Sequence, residues 1–480
     1  MKNRFAALAC LFTALSLRAL AADAPATPAQ SGDLPTDWID PDTGHRVIRL
    51  SREDETQSLY FHQNTYTPDG TRVVVTVPNG ISTINLKTHE IKKVVSGSTP
   101  TMRIDTHDNT PPEQRIAHIV MGRKTPTVYY TRGSDVMATN LDTGETRKLC
   151  VLPPELFYGS GFTVNADETL LAGTGDASPG ELGAIGPAWT GNQAIGQRLA
   201  AIVPMVLYTI NIKTGELKKF FRAETDWLNH IQFSPTDPNL LMYCHEGPWS
   251  QVDRIWHIRV AGDIYTVQAG DTLEKIAAAH GTYPAMIKFT AKLASDVVTP
   301  GQKIQLPPDP PRLVHQRTMQ NEIAGHEFWG ADGKYAWYDL QTPQSTQFWV
   351  GGMELATGQH IRYSLLKNQW SVHFNVSPDG KLFAGDGGGP NSVARGDNGQ
   401  WIYLFTPDPS TATTMKVGDE DVKTMTFKAE RLVNLAKHDY GLEPNVSFTP
   451  DMKWIVFRSN MLGAEHGSQV FAVEIAKATK

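Results

Sequence analysis

Short runs of alternating apolar and polar residues fill most of the chain, each cut off by a turn within a few residues. The run "IWHIRV" at 255–260 is one example. Period-two alternation gives a strand with one face toward a core. Two turn patterns recur between these runs. In the first, a strand runs into a Pro-Asp-Gly-like turn, at 62–70 ("HQNTYTPDG"), 161–168, 230–237, 326–333, 373–380 ("HFNVSPDG") and 445–451. In the second, a Thr-Gly turn or its near equivalent joins two strands, at 84–95, 139–150 ("TNLDTGETRKLC"), 210–221 and 353–364. Proline followed by Asp-Gly pre-sets a tight turn between antiparallel strands. One copy of each pattern makes four short strands, which is the unit of a propeller blade.

The pattern therefore predicts an all-β fold, a seven-bladed β-propeller. Its blades lie at about 58–97, 112–151, 155–222, 226–318, 322–366, 369–435 and 440–476. The last lacks its own Thr-Gly hairpin. The segment "DPDTGHRVIRLS" at 40–51 carries the missing turn and strand, so the N-terminal strand is expected to close the last blade and remove an open edge. The propeller then occupies 36–262 and 310–480, split by residues 263–309.

That interruption has a different rhythm. "YTVQ" leads into Gly270-Asp271-Thr272-Leu273. Thr272 is placed to cap a helix carrying Leu273, Ile276 and Ala277. A second helix holds Met286, Ile287 and Phe289, and "TPGQKIQLP" returns as a strand. The order resembles a LysM module, a small α+β (βααβ) domain, here inserted between the last two strands of blade four. "FTAKL" stands where such modules commonly have an asparagine. The resemblance implies binding to N-acetylglucosamine glycans, chiefly peptidoglycan or chitin. It places the groove between Gly270, Asp271 and Thr272 on one side and Pro300 and Gly301 on the other. The alternative is a degenerate structural insert.

Composition narrows the setting. Lys2 and Arg4, the apolar run from Phe5 to Leu17 and "ALA" at 19–21 read as a secretory signal over 1–21, too short to remain as a transmembrane anchor. A Pro/Ala/Ser-rich flexible leader follows at 22–35. The expected location is the periplasm or outside the cell. Removing the signal takes away Lys2, Arg4 and Arg18 and no acid, so the formal charge of −6 becomes −9. No basic surplus suits nucleic acid. Cys150 and Cys244 remain, either paired or as two free thiols.

Counting five residues back from each turn proline, or its alanine equivalent, gives Gln63, Gly161, His230, His326, His373 and Asn445. Polar residues thus recur at one depth of the innermost strands, where a core would favour Val or Ile, and converge on the central funnel. "MYCHEGPW" at 242–249 adds His245 and Glu246, with Arg254 following. "CHEGPW", "HEFW" (326–329), the opening at 43–74 and the closing "PNVSFTPDMKWIVFRSN" resemble the oligogalacturonate lyases, a polysaccharide lyase family on a seven-bladed propeller. The resemblance implies β-elimination on uronic-acid oligosaccharides, with His245 as base and His326 as a ligand of a manganese-like divalent ion. Arg254 is the candidate for carboxylate contact. His230, His373, Arg458 and Trp189 are candidates for substrate binding. The family's Gln-x-x-His-x-His ligand run is replaced here by Tyr440, Glu443 and Asn445, with His438 as a possible substitute. Glu443 suits a hard cation, Asn445 less so. The alternative is that the metal is lost and these residues only hydrogen-bond. The rival to an enzyme is a non-catalytic envelope propeller that binds a glycan or a protein.

Overall fold

The Thr-Gly turns form through one local device. Asn140 and Asn211 each accept backbone N–H bonds from the two residues before the turn glycine, at 2.9–3.0 Å. Gly144, Gly215 and Gly358 then take left-handed φ of 73–74°, a region glycine enters without steric cost. His89 fills the corresponding place after Asn85, at φ 59°. These details belong to a computed structural model. It describes residues 34–99, 114–156, 159–177, 203–389, 392–396 and 400–478, with Pro111, Gly196 and Ala200. The signal at 1–21, nearly all of the leader at 22–35, and Trp189 lie outside the described residues.

The strands assemble into antiparallel sheets of four. These contain Gln57–Ser58 through Ile91–Ser96, Ile116–Met121 through Thr146–Val151, Thr163–Val164 through Leu217–Ala223, and Trp227–Phe233 through Arg312–Leu313. The next two sets of four are fused into one eight-stranded sheet, because His360–Leu365 pairs in parallel with Glu420–Asn434. In the last sheet, His45–Arg49 from the start of the chain pairs with Gln469–Lys477 from its end (Val47 opposite Val473). Asp37–Ile39 adds a fifth strand outside it. Apolar residues are shared between consecutive sheets. Val120 and Tyr129 pack with Phe162 and Tyr208. Ile48, Val456 and Val470 pack with Val73 and Val75, joining the last sheet to the first. Among the described residues no helix is long and apolar enough to cross a membrane.

Several of the innermost strands are kinked at the same place. Pairing slips between Ala117 and Val120, between Asn229 and Gln232, and between Gly325 and Phe328. At each slip one residue takes left-handed φ: His118 at 54°, His230 and His326 at 48°. His373 at 48° and Asn445 at 53° hold the corresponding place ahead of short strands. A non-glycine residue adopts this conformation only when its surroundings impose it. A bulge of this kind re-aims a side chain; His326 and His373 thereby meet ring to ring.

Between Ile255–Arg259 and Arg312–Leu313, which pair directly (Trp256 opposite Leu313), the chain forms a small unit with its own core. Strands Ile264–Thr266 and Lys303–Gln305 pair, and helices Leu273–Ala279 and Pro284–Thr290 pack on them through Leu273, Ile276, Ile287 and Ile304. Thr272 accepts from Lys275 N as the N-cap.

Two features depart from expectation. "RLVHQRT" forms a strand only over Arg312–Leu313; just beyond it, His315 is drawn into a buried pair with Glu322. The sixth set of strands extends into a long hairpin, Trp401–Val417 and Glu420–Asn434, turning at Gly418. Cys150 and Cys244 are both free, the second buried, so they do not pair.

Candidate functional site

The bulged strands gather imidazoles. The His326 and His373 rings lie 4.6 Å apart. His62, adjacent to the predicted Gln63, stands 5.7 Å from His230. Tyr60 contacts His62, His230 and His373, and Phe61 contacts His62, His326 and His373. The Gln63 side chain accepts from Tyr60 N and lies against Gly161, the neighbouring predicted position. His62, its neighbour, joins the histidine cluster beside it.

Carboxylates set the orientation of these rings. His326 Nδ1 lies 2.7 Å from Asp339 Oδ2, and His373 Nδ1 lies 2.9 Å from Asp386 Oδ2. Asp386 also accepts from Tyr440 Oη at 2.9 Å and from Asn445 N at 3.0 Å. His373 Nε2 faces Glu443 Oε2 at 3.6 Å, and His230 Nε2 faces Glu246 Oε2 at 3.4 Å. Burial pulls the His326 imidazole well below its usual pKa, helped by His373, and pushes the Asp339 carboxyl well above its own. Burial also acts to lower the His373 pKa, but the Asp386 and Glu443 carboxylates overcome it and the net shift is upward. Glu327 is fully buried with neither carboxylate oxygen bonded. Burial raises its pKa against the opposing pull of His230 and Arg254.

The remaining predicted residues divide. Arg254 is buried, bonded to Glu246 Oε1 at 2.7 Å and to Gly247 O at 2.6 Å, and stacked 4.4 Å over Trp249. Its charge is met by Glu246, which corrects the expectation of a guanidinium free for substrate. Trp249 also packs on His326, at 5.1 Å. His245 follows Cys244 on the strand Leu240–Glu246 and so points to the opposite face from Glu246. Its Nε2 lies 3.7 Å from Asp226 Oδ1 and has no hydrogen-bond partner. Burial lowers its pKa, with Asp226 opposing.

The altered ligand run is tied into the scaffold. His438 is spent, with Nε2 on Leu442 O at 2.7 Å and Nδ1 on Ser459 Oγ at 2.9 Å, so it does not stand in as a ligand. The Asn445 side chain bonds Phe61 N and Glu443 O, also without a free donor atom for a cation. Arg458 holds Glu443 O at 2.7 Å and Gln57 at 3.1 Å, a brace for the Glu443 loop rather than an open anion contact. The donor chemistry left over still suits a divalent cation: two imidazoles, each fixed by a carboxylate, and the Glu443 carboxylate. Among the described residues no three His, Cys, Asp or Glu side chains already stand in a coordinating array.

In the inserted unit, Asp271 accepts from Gln268 N at 2.7 Å and Tyr265 Oη at 2.8 Å, bonds that lower its pKa. Gly270 and Gly301 take φ of 87° and 83°, and Gly301 N bonds Val267 O. The turn at 270–272 and the stretch at 300–301 therefore flank the same strand.

Asp339 and Asp386, which the sequence reading missed, each lie thirteen residues after their histidine. That repeated interval was their signal. His118 was missed because its strand ends in "GRKTPT" rather than Pro-Asp-Gly.

Comparison with known proteins places this arrangement. Residues 35–269 match the family model described as oligogalacturonate lyase, and residues 265–307 match the LysM domain. The oligogalacturonate lyase of Dickeya dadantii is 23% identical over 439 residues, covering 88% of this chain and 92% of that protein. A solved oligogalacturonate lyase in complex with manganese superposes with a TM-score of 0.64 at 20% identity, over 92% of this chain and 96% of the other. That of Vibrio parahaemolyticus gives 0.65 at 19% identity, over 94% and 100%. Along these lengths the chain is similar to the oligogalacturonate lyases, and it carries a LysM domain over residues 265–307.

Proposed function

We propose that this protein is an exported polysaccharide lyase that cleaves oligogalacturonate-like uronic-acid oligosaccharides by β-elimination, held at cell-wall glycan by its LysM domain. The sheets are read as seven propeller blades, with the LysM domain set into the outer hairpin of the fourth. In the reaction a base removes the proton at C5 of the uronate. The C–H electrons form the C4–C5 double bond, the C4–O4 bond breaks, and the departing oxygen takes up a proton. His245 is assigned as the base. Its unbonded Nε2 and lowered pKa keep a lone pair available at neutral pH. Asp226 holds the imidazolium that forms. A divalent cation held by His326 and Glu443, manganese as in the solved relative, would supply positive charge against the substrate carboxylate. Trp249, fixed between Arg254 and His326, offers a face for a sugar ring.

The convergence of carboxylate-oriented histidines beside "CHEGPW" and "HEFW" carries this reading. It is tested by incubating the protein with oligogalacturonates and divalent metal and following the ultraviolet absorbance of the unsaturated product. Absence of product from a panel of uronates would overturn it. One observation favours a second reading, a non-catalytic propeller that binds a glycan or a protein at the envelope: the Arg254 charge is already neutralised by Glu246. Binding of uronate oligomers without turnover is the outcome that reading requires. The LysM reading predicts co-sedimentation with peptidoglycan.

A further inference from the structure

A cavity of about 190 Å³ lies farther along the innermost strands than the histidines, toward the Pro-Asp-Gly-like turns, where Pro235, Gly330 and Ala331 line it. Phe61 and His62 also line it and belong to the histidine cluster as well. Aromatic rings make up much of the wall, with Tyr66, Phe233, Phe328, Trp329 and Phe448. The amides there are occupied. Asn64 Nδ2 donates to Met121 O and Gly122 O, Gln232 Nε2 to Glu327 O, and Asn375 Nδ2 to Phe61 O.

Among the described residues, Arg123 is the one Lys, Arg, Asp or Glu on this wall. It follows the strand Ile116–Met121 and donates from Nε to Val164 O at 3.1 Å. Among the described residues it makes no other hydrogen bond and no carboxylate pairs with it, so Nη1 and Nη2 are unspent. Arg254 and Arg458 differ: each is held by several bonds, Arg254 by a carboxylate. Burial pulls the Arg123 guanidinium down to about 10, and no acid opposes it. It is still charged at neutral pH. A charge taken out of water ordinarily has a partner in the protein, and Arg123 has a cavity instead.

We infer that this cavity is a binding site for a small carboxylate of the size of one sugar acid, held by the Arg123 guanidinium. The two unspent Nη groups form a planar fork that matches the two oxygens of a carboxylate. One cation matches one negative charge. A cavity of roughly 150 Å³ takes a benzene-sized ring, so there is room here for a six-membered ring beside the charge. The aromatic wall suits the apolar face of such a ring. The residues of this site carry no role in the proposed lyase reaction, so either reading can fail alone.

The test is calorimetric titration of the full chain with monomeric galacturonate, with neutral galactose and inorganic phosphate as controls. Galacturonate is expected to bind and to raise the melting temperature, and galactose to do neither. Arg123→Met should weaken the binding roughly 10–100-fold, the loss of hydrogen bonds to a charged group. The same variant should melt no lower than the wild type, because it removes a charge that has no ion-pair partner. Arg123→Lys, which keeps the charge and loses the fork, replaces it if the methionine variant fails to fold. His245→Ala should bind galacturonate as the wild type does. Equal affinity in the wild type and the Arg123 variant would overturn the inference. So would binding lost with His245→Ala, since the acid then sits in the lyase site. Phosphate bound in preference to galacturonate, or no galacturonate bound at tens of millimolar, would overturn it as well. Galacturonate binding that depends on Arg123, without turnover of any oligomer, would sink the lyase reading and leave this site standing.

Discussion

The surroundings of His245 and His373 push their pKa values in opposite directions. Burial lowers His245 below the usual imidazole range, whereas Asp386 and Glu443 raise His373 against burial. Activity should then rise with pH through an apparent pKa below 6.5, as His245 loses its proton; a pH profile of kcat/KM reads this. His245→Ala should abolish turnover and leave the thermal transition unchanged, because the ring makes no hydrogen bond through Nε2. Arg254 has the opposite character. Replacing it with Met strands Glu246 in a buried site and should cost about 3–5 kcal/mol in denaturant unfolding. Burial acts to raise the Glu246 pKa, but Arg254 and His230 bring it below its ordinary value. The stability this pair contributes is present above the unfolded carboxyl pKa and is lost as pH falls through the folded one. In the Arg254→Met variant, that acid-side loss should be smaller.

The turns and strands were legible because their chemistry is local. Asn, Thr and Gly at fixed offsets give the same hydrogen bonds wherever they occur, so the hairpins at Gly144, Gly215 and Gly358 could be read without the rest of the chain. Two of these glycines separate backbone strain from crowding. A side chain at Gly144 would meet nothing within 4 Å, whereas one at Gly215 would come to 2.1 Å from Leu149 O. Gly144→Ala should cost about 1–2 kcal/mol for the left-handed conformation alone. Gly215→Ala should cost clearly more, and paired thermal melts test the difference. What depended on distant pairing was not legible. The hairpin through Gly418 carries no Thr-Gly signature, and its parallel pairing with His360–Leu365 unites segments about sixty residues apart. The site followed the same rule. The histidines repeat with the turns and could be counted. Asp339 and Asp386 are defined only by which ring they face. Arg254 was assigned to substrate because its partner Glu246, eight residues away, becomes a neighbour only through strand pairing.

At the scale of the whole molecule, the LysM unit has its own core and enters and leaves through paired strands, Trp256 opposite Leu313. Replacing residues 263–309 with a short Gly-containing turn should leave the propeller folded and its uronate turnover unchanged. Co-sedimentation with peptidoglycan should be lost. Unfolding of the remainder on deletion would show that the two parts are not separable. Ring closure places a different demand on the chain. Ser51 Oγ accepts from Val470 N across 419 positions, and the strand His45–Arg49 finds its partner among the last residues. During synthesis, Asp37–Ile39 can pair with one edge of His45–Arg49, but the other edge has no partner until the final strand is made. Non-local pairing of this kind slows folding. The full chain is therefore kept from closing early. A copy truncated near Trp454 would leave both edges of the gap open to pairing with other chains.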